Sequence, residues 1–321
     1  MKEYGGYLPL ELNNKAHFYT TNNEMQAVKL NSGRSAILLA IKDFNPSKIY
    51  IPVYNCYYVN NLIENSGYSY EYYLVDENML PKNVVVSDDE LLLFINYFGN
   101  FDEQQLLEIK NKYKNLIIDN CNAFFQAPIE GAYNTYSVRK FFGTADGAYL
   151  VGNIKKQYSF ERDISYSRSI HLLKSIELGT NAAYLENKNN ENEIGFEIKE
   201  MSVLTDKILS SIDYAYIQTI RRSNFMHLHE LLKNNNELNI NTSVCSHMDY
   251  PFLSKEKGMA LYDWLIENKI YSKRLWSHLL KSDGFEGYLS RNMCFLPIDQ
   301  RYSCEDMEYI ANIVIRGIEL S

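Results

Sequence analysis

Two side chains near the middle of this 321-residue chain have the type and setting for group-transfer chemistry. Asp119 ends the apolar run LIID, and Lys140 follows the polar, strand-like segment NTYSV (134–138) and precedes FFGTADGA. A carboxylate at the C-terminal end of a buried strand stands where open α/β sheets bind ligands, and there it can keep a heteroaromatic nitrogen protonated. Lys140 has Val138, Phe141 and Phe142 around it, and apolar surroundings favour a neutral amine, the form that attacks an aldehyde or moves a proton. Taken singly, both residues have ordinary readings. Asp is frequent in turns and caps, and most lysines are solvated surface groups.

Other segments supply candidate anion and ring contacts. Ser32-Gly33-Arg34-Ser35 opens a strongly apolar stretch, SGRSAILLAIKDF (32–44). The free N–H groups and dipole of a helix start favour a phosphate, and a glycine there lets the backbone approach closely. Ser137, just before Lys140, is a second candidate phosphate ligand, and Arg139 is a neighbouring cation. Asn122 follows Asp119 by three residues, in reach of a phenolic oxygen on a ring held by that acid. IPVYNCYYVNN (51–61) places aromatics after Pro52 that could stack on a ring, and NYFGN (96–100) ends a further strand at a glycine turn. Ordinary capping, turns and core tyrosines explain each of these segments at least as well in isolation, and explain the helix start and Asn122 better.

The elements that must position these residues alternate strand with helix. The strands are expected at 48–52, 69–75, 91–96, 115–119, 134–138 and 147–151, and the helices at 32–44, 55–67 and 102–113, with Asp102 as an N-cap. That alternation is the pattern of an α/β sheet with helices on both faces. Residues 160–186 read as helix, and LENKNNENEIGFEIKE (185–200) reads as a mobile polar loop. One or two long helices fit 201–232. A second, smaller set of elements follows: PFL (251–253), a helix over 257–269, a strand over 293–298 and a terminal helix from Ser303, with Ser303 and Asp306 as a capping box.

Composition narrows the function classes. The net charge of −8 argues against nucleic acid, and no run reaches transmembrane length. The N-terminus has no apolar signal-like stretch and Gly5-Gly6 breaks it. Five widely spaced cysteines (Cys56, Cys121, Cys245, Cys294, Cys304) form no CxxC pair, so reduced thiols in a cytoplasm are expected, with neither a zinc site nor a disulfide framework. His227 and His229, two apart in an expected helix, do not share a face, and with His17 they read as surface or structural residues.

In chain order, SGRS, IP-x-Y, NYFG, IIDNCN and YSxxK followed by GTxDGA form a connected series. The series resembles the DegT/StrS family of fold-type-I pyridoxal phosphate (PLP) enzymes, aminotransferases acting on keto sugars carried on nucleotides. The likeness runs from GGYLPLEL near the N-terminus to LPIDQRYSCEDMEYIANIV near the C-terminus. It implies an α/β protein of PLP-dependent transferase fold type I, with a mostly parallel mixed sheet in a large domain and a smaller C-terminal α/β domain. The expected division is an arm over 1–15, a PLP-binding domain over 16–210, and a connecting long helix with the small domain over 211–321.

The resemblance also implies roles. Lys140 would form the Schiff base and later move a proton, and Asp119 would pair with the pyridinium nitrogen. Asn122 would sit near the phenolic oxygen, and Gly33, Arg34, Ser35 and Ser137 would hold the phosphate. An aromatic near Tyr57 would stack on the ring, although a count from Pro52 lands on Cys56. Glutamate or glutamine would donate the amino group to a nucleotide-linked keto sugar, for surface polysaccharide or secondary-metabolite sugar biosynthesis, in a cytoplasmic homodimer. Two residues separate Ser137 from Lys140, fewer than the family usually has, and its Asn-containing segment is not recognisable in GFEIKEMSVL (195–204). Two alternatives remain at this stage. One is a PLP- or pyridoxamine-dependent sugar dehydratase, whose relatives carry histidine in place of the lysine. The other is a non-catalytic fold relative that binds a ligand or partner.

Overall fold

Short apolar runs bounded by polar turns build the central sheet. The computed structural model describes residue 4 and residues 6–22, 24–244 and 247–320; Gly5 and Cys245, noted above, lie outside the described residues. Seven strands, β1 (Gln26–Leu30), β2 (Ile49–Pro52), β3 (Tyr70–Tyr73), β4 (Leu91–Ile95), β5 (Leu116–Asp119), β6 (Tyr133–Ser137) and β7 (Ala148–Gly152), lie in the order β1-β7-β6-β5-β4-β2-β3. The pairings from β3 through β6 are parallel, whereas β7 is antiparallel to both β6 and β1. Strands β2, β4, β5, β6 and β7 are buried along their whole length, as expected for a sheet covered on both faces.

Strand alternation decides which side chains meet which helix. Leu92, Phe94, Leu116 and Ile118 face α3 (Glu103–Lys112) through Leu106 and Ile109. Leu91, Leu93 and Ile117 face α1 (Gly33–Phe44) through Ile37, Leu39 and Ile41. Asp119 shares the face of Ile117, and Thr135 and Ser137 share that of Tyr133, which also packs with α1. The α1 face of the sheet therefore carries the polar ends of two neighbouring strands.

The helices that cover the two faces begin and end by local chemistry. Ser32 caps α1 by accepting from the Ser35 N–H, and Asn45 ends it in the left-handed region. Asp102 and Gln105 form a full capping box on α3. A second short helix, α2 (Tyr57–Glu64), follows β2.

Beyond β7 the structure departs from the sequence reading. Residues 160–166 are not helical; a helical turn at Ser167–Ser169 leads into α4 (Ile170–Leu178), which Gly179 ends at φ 84°. The expected polar loop is largely a helix, α5 (Tyr184–Glu193). Its composition lacks an apolar period, but anchored polar groups hold it in place of an apolar stripe. Asn190 is buried and donates to the Ala145 carbonyl at 2.9 Å, Glu191 pairs with Arg139 at 2.9 Å, and Glu186 pairs with Lys174.

Helices α6 (Val203–Leu209) and α7 (Tyr214–Leu232) fill the expected 201–232 stretch. The C-terminal part pairs β8 (Tyr250–Leu253) antiparallel with β9 (Met293–Leu296). This pair packs with α7, α8 (Gly258–Glu267) and α10 (Cys304–Leu320) around Phe225, Phe252, Leu261, Leu296 and Val314. Helix α9 (Gly284–Asn292) contributes Leu289 to the core on the α3 side of the large sheet, where Leu253 and Phe295 join it. Ser303 and Asp306 bond reciprocally at the start of α10. Among the described residues no helix is long and apolar enough to cross a membrane.

Candidate active site

The C-terminal ends of β5 and β6 and the first turn of α1 converge. Asp119 is buried, and its Oδ1 accepts from the Cys121 N–H at 2.9 Å and from the Thr135 hydroxyl at 3.3 Å. Cys121 lies between this carboxylate and α1: a Cβ built on Gly33 would stand 2.8 Å from Cys121 Sγ and 3.8 Å from Ser137 Cβ. Gly33 is therefore where the helix start, the Asp119 loop and the end of β6 come closest, and its missing side chain leaves the helix N–H groups open to a small anion. Burial, reinforced by the Asp119 charge, pushes the Cys121 thiol well above its ordinary range, so it sits there as a neutral packing group.

The arginines around this cradle divide into held and crowded charges. Arg34 lies between two rings, its guanidinium carbon 5.4 Å from the centre of Tyr58 and 5.1 Å from that of Phe196. Desolvation, and then the neighbouring Arg139 charge, lower its pKa. Arg139 is lowered by burial against the opposing pull of Glu191. Arg34, desolvated and crowded by Arg139 on the open first turn of α1, is a charge that a bound phosphate dianion would stabilise. Arg168 is held elsewhere, buried against Asp163 at 2.6 Å and bonded to Asn190.

The lysine turn is short and braced. Phe141 and Phe142 both donate to the Val138 carbonyl and turn their rings into a cluster with Phe124, Phe125 and Tyr214. The apolar neighbours that promised a desolvated amine thus face the core, while Lys140 itself is exposed. Its Nζ donates to Asn122 Oδ1 at 3.0 Å, so the two-residue spacing from Ser137 still carries the amine to the loop that follows Asp119. The downstream DGA is structural. Buried Asp146 accepts from the Ser202 N–H and hydroxyl at the start of α6 and from the Thr205 hydroxyl, and Gly147 at φ 116° fits where a Cβ would meet Val138 and Thr205 at 2.9 Å.

The structure thus brings together Asp119, Asn122, Lys140, Gly33, Arg34 and Ser137. It does not bring in two others. Ser35 is buried, with its hydroxyl committed to Asn31 Oδ1 at 2.7 Å and the Glu197 carbonyl at 3.2 Å. Tyr57 is 54% exposed and stands against Tyr58 and His278, whereas Cys56 lies in electrostatic reach of Arg34 and Cys121. The residues that sequence reading passed over are Cys121, Thr135, Tyr58 and Phe196. Thr135 had a readable signal, since it alternates with Ser137 on one strand face. Phe196 had none, because it arrives from a distant segment. His17 and His229 bond to Tyr149 and Tyr250, and His227 pairs with Glu308.

No family model matches the sequence, and no curated protein matches it significantly. Solved structures match along almost its whole length. DesV of S. venezuelae superposes with a TM-score of 0.58 at 13% identity, covering 91% of this chain and 85% of its own. The GDP-4-keto-6-deoxy-D-mannose-3-dehydratase of E. coli gives 0.60 at 16% over 90% and 87%. PseC of Helicobacter pylori, an aminotransferase in pseudaminic acid biosynthesis, gives 0.59 at 13% over 92% and 87%. The chain has the fold of the fold-type-I PLP-dependent sugar aminotransferases. Aminotransferases and a dehydratase share this fold at similar distance, so the architecture alone does not choose between the two reactions.

Proposed function

We propose that the chain binds PLP and transfers an amino group from glutamate or glutamine to a keto sugar carried on a nucleotide. The observation that carries this reading is the Lys140 amine at 3.0 Å from Asn122, on the loop that begins at Asp119 and packs on Gly33. The residues present suit the cofactor: Gly33, Arg34 and Ser137 around the phosphate, Asp119 for the ring nitrogen, and Asn122 for the phenolic oxygen through the amide nitrogen not facing Lys140. When bound, PLP supplies an electron sink for the carbanion formed at the substrate carbon. Asp119 would hold the ring nitrogen protonated, and Thr135 and the Cys121 N–H orient its carboxylate. Lys140 Nζ is the group that takes the proton from the amine-bearing carbon and returns it.

The dehydratase reading has the E. coli neighbour in its favour. Against it stands Lys140, where the dehydratases that this sequence resembles use histidine. A purely binding role is the third reading. The test is to add PLP to the purified protein, reduce with borohydride and map the modified peptide, then supply glutamate with a nucleotide-linked keto sugar. Cofactor fixed on Lys140 together with formation of 2-oxoglutarate and an amino sugar supports transfer. A dehydrated sugar without glutamate turnover supports the second reading, and no uptake of PLP removes both.

The acting species in this proposal is a homodimer. Ile164, Tyr166, Leu173, Ile176, Leu178 and Leu185 are each at least 60% exposed along one stretch of sequence, and large apolar side chains left in water in such number suit a partner surface. Sedimentation velocity would read the mass directly.

A further inference from the structure

We propose that Arg221 positions the Lys140–Asn122 pair, acting from α7 through the Met248 backbone and the Gln300 side chain. Its bearing on catalysis rests on the PLP reading above; its bearing on the lysine does not. Arg221 is 3% exposed. One guanidinium nitrogen donates to the Met248 carbonyl at 2.7 Å and another to Gln300 Oε1 at 2.9 Å, while the guanidinium carbon lies 4.6 Å from the centre of the Phe141 ring. Both acceptors lead back to the lysine site. The Met248 N–H donates to the Asn122 carbonyl at 3.1 Å, and Gln300 Nε2 donates to the Phe141 carbonyl at 3.0 Å. Asn122 and Phe141 are the acceptor of the Lys140 amine and the next residue in its turn. The chain of contacts therefore closes on itself: Arg221 holds the Met248 backbone and the Gln300 side chain, and each of these holds one side of the lysine contact.

The charge of Arg221 makes a packing role alone a poor account. Burial lowers its pKa, and the carboxylates that oppose this, Asp299 and Asp249, are paired to Arg301 and Lys273. Its Nε is buried without a partner. A buried guanidinium with only neutral acceptors costs more than an apolar side chain of the same size. What it supplies in return is a planar fork that fixes two acceptors at a set angle, which an apolar side chain cannot do. The segments it joins are the β5–β6 and β6–β7 connections on one side and the stretches just before β8 and α10 on the other, so the lysine turn is referenced to the C-terminal part of the chain.

The test uses the full chain without added cofactor and trinitrobenzenesulfonate as the probe, with modification of Lys140 followed by peptide mapping between pH 7 and 10. Lys114, 75% exposed, lies just before β5, at the end of that strand opposite Asp119, and serves as the internal reference. Trinitrobenzenesulfonate modifies an amine that is free of partners, and Asn122 Oδ1 holds this one at 3.0 Å. Loosening Asn122 should free that amine and make Lys140 react at least about threefold faster, the low end for loss of one hydrogen bond, with Lys114 unchanged. We expect this in Arg221→Met and, to a smaller extent, in Gln300→Met, with Arg221→Lys between Arg221→Met and the parent. If Arg221→Met does not fold, by far-UV circular dichroism and thermal unfolding, the partly exposed Gln300 decides the question. Folded variants whose Lys140 reactivity stays within twofold of the parent overturn the proposal. Failure of the parent to take up PLP would remove the functional reading while leaving this result intact.

Discussion

Replacing Gly33 by alanine probes the point where cradle, acid loop and lysine strand meet. The new Cβ would stand 2.8 Å from Cys121 Sγ, closer than carbon and sulfur pack in folded proteins, while its 3.8 Å approach to Ser137 is ordinary contact. Gly33 is the first residue of α1 with helical backbone, so alanine gains roughly 0.4–1 kcal/mol from a stiffer unfolded chain. Overpacking costs about 1–3 kcal/mol, because Cys121 is pinned through its own N–H to Asp119 and has little room to retreat. The expected net loss is about 1–2 kcal/mol, a few degrees in Tm for a chain of this size. Cys121→Ala alone should cost about 1 kcal/mol of buried surface. In the double variant Gly33→Ala/Cys121→Ala the clash has no partner, so stability should return to near that of Cys121→Ala. The resulting coupling is about 1–2 kcal/mol, well above the ~0.5 kcal/mol scatter of independent sites. Urea unfolding of the four proteins measures it. Additive effects within that scatter would refute the placement of Cys121 on the first turn of α1.

Further outcomes follow from other contacts. Asp119→Asn should lower amino transfer on the order of 100-fold or more, as loss of a preorganised electrostatic group does, with the fold unchanged by circular dichroism; turnover near the parent value would separate Asp119 from the ring nitrogen. His247, buried against Phe225 at 3.9 Å with its Nε2 unpartnered, has its pKa pushed down to about 3 by burial and then by the Arg222 charge. A depressed folded pKa means the unfolded chain binds the proton first, so this stability is intact above about pH 6.5 and is lost at up to about 1.4 kcal/mol per unit as pH falls toward 3. His247→Phe should flatten that dependence in urea titrations taken between pH 4 and 7. Gly258→Ala should be far more damaging than Gly33→Ala. Its Cβ would lie 2.2 Å from Asn292 Cα and 2.4 Å from the Arg291 carbonyl, backbone atoms that cannot rotate away; a Tm within a few degrees of the parent would contradict the α8–α9 packing.

Much of the site was legible because it rests on local rules. An apolar run ending in Asp119 and a glycine inside a serine-capped helix start each follow from neighbours a few residues away, and the alternation of Thr135 with Ser137 was a local signal of the same kind that went unused. The strands between 49 and 152 appear where short apolar runs stand between polar turns. Reading failed where the signal was not local. QAVKL of β1 is a strand only because β7 pairs with it antiparallel. Helix α5 lacks an apolar stripe and is held through Asn190 and Glu191.

Residue types and their order determined the fold class, the acid, the lysine and the glycine of the cradle, because backbone preference and side-chain period are carried by the chain itself. Tertiary structure alone decided which of them touch. It turned Ser35 inward to Asn31 and Glu197, and left Tyr57 exposed. It brought Phe196 over Arg34 and set Arg221 behind the lysine turn. Each of these contacts joins residues whose distance in space depends on how helices and sheet pack together, and no spacing along the sequence records that packing.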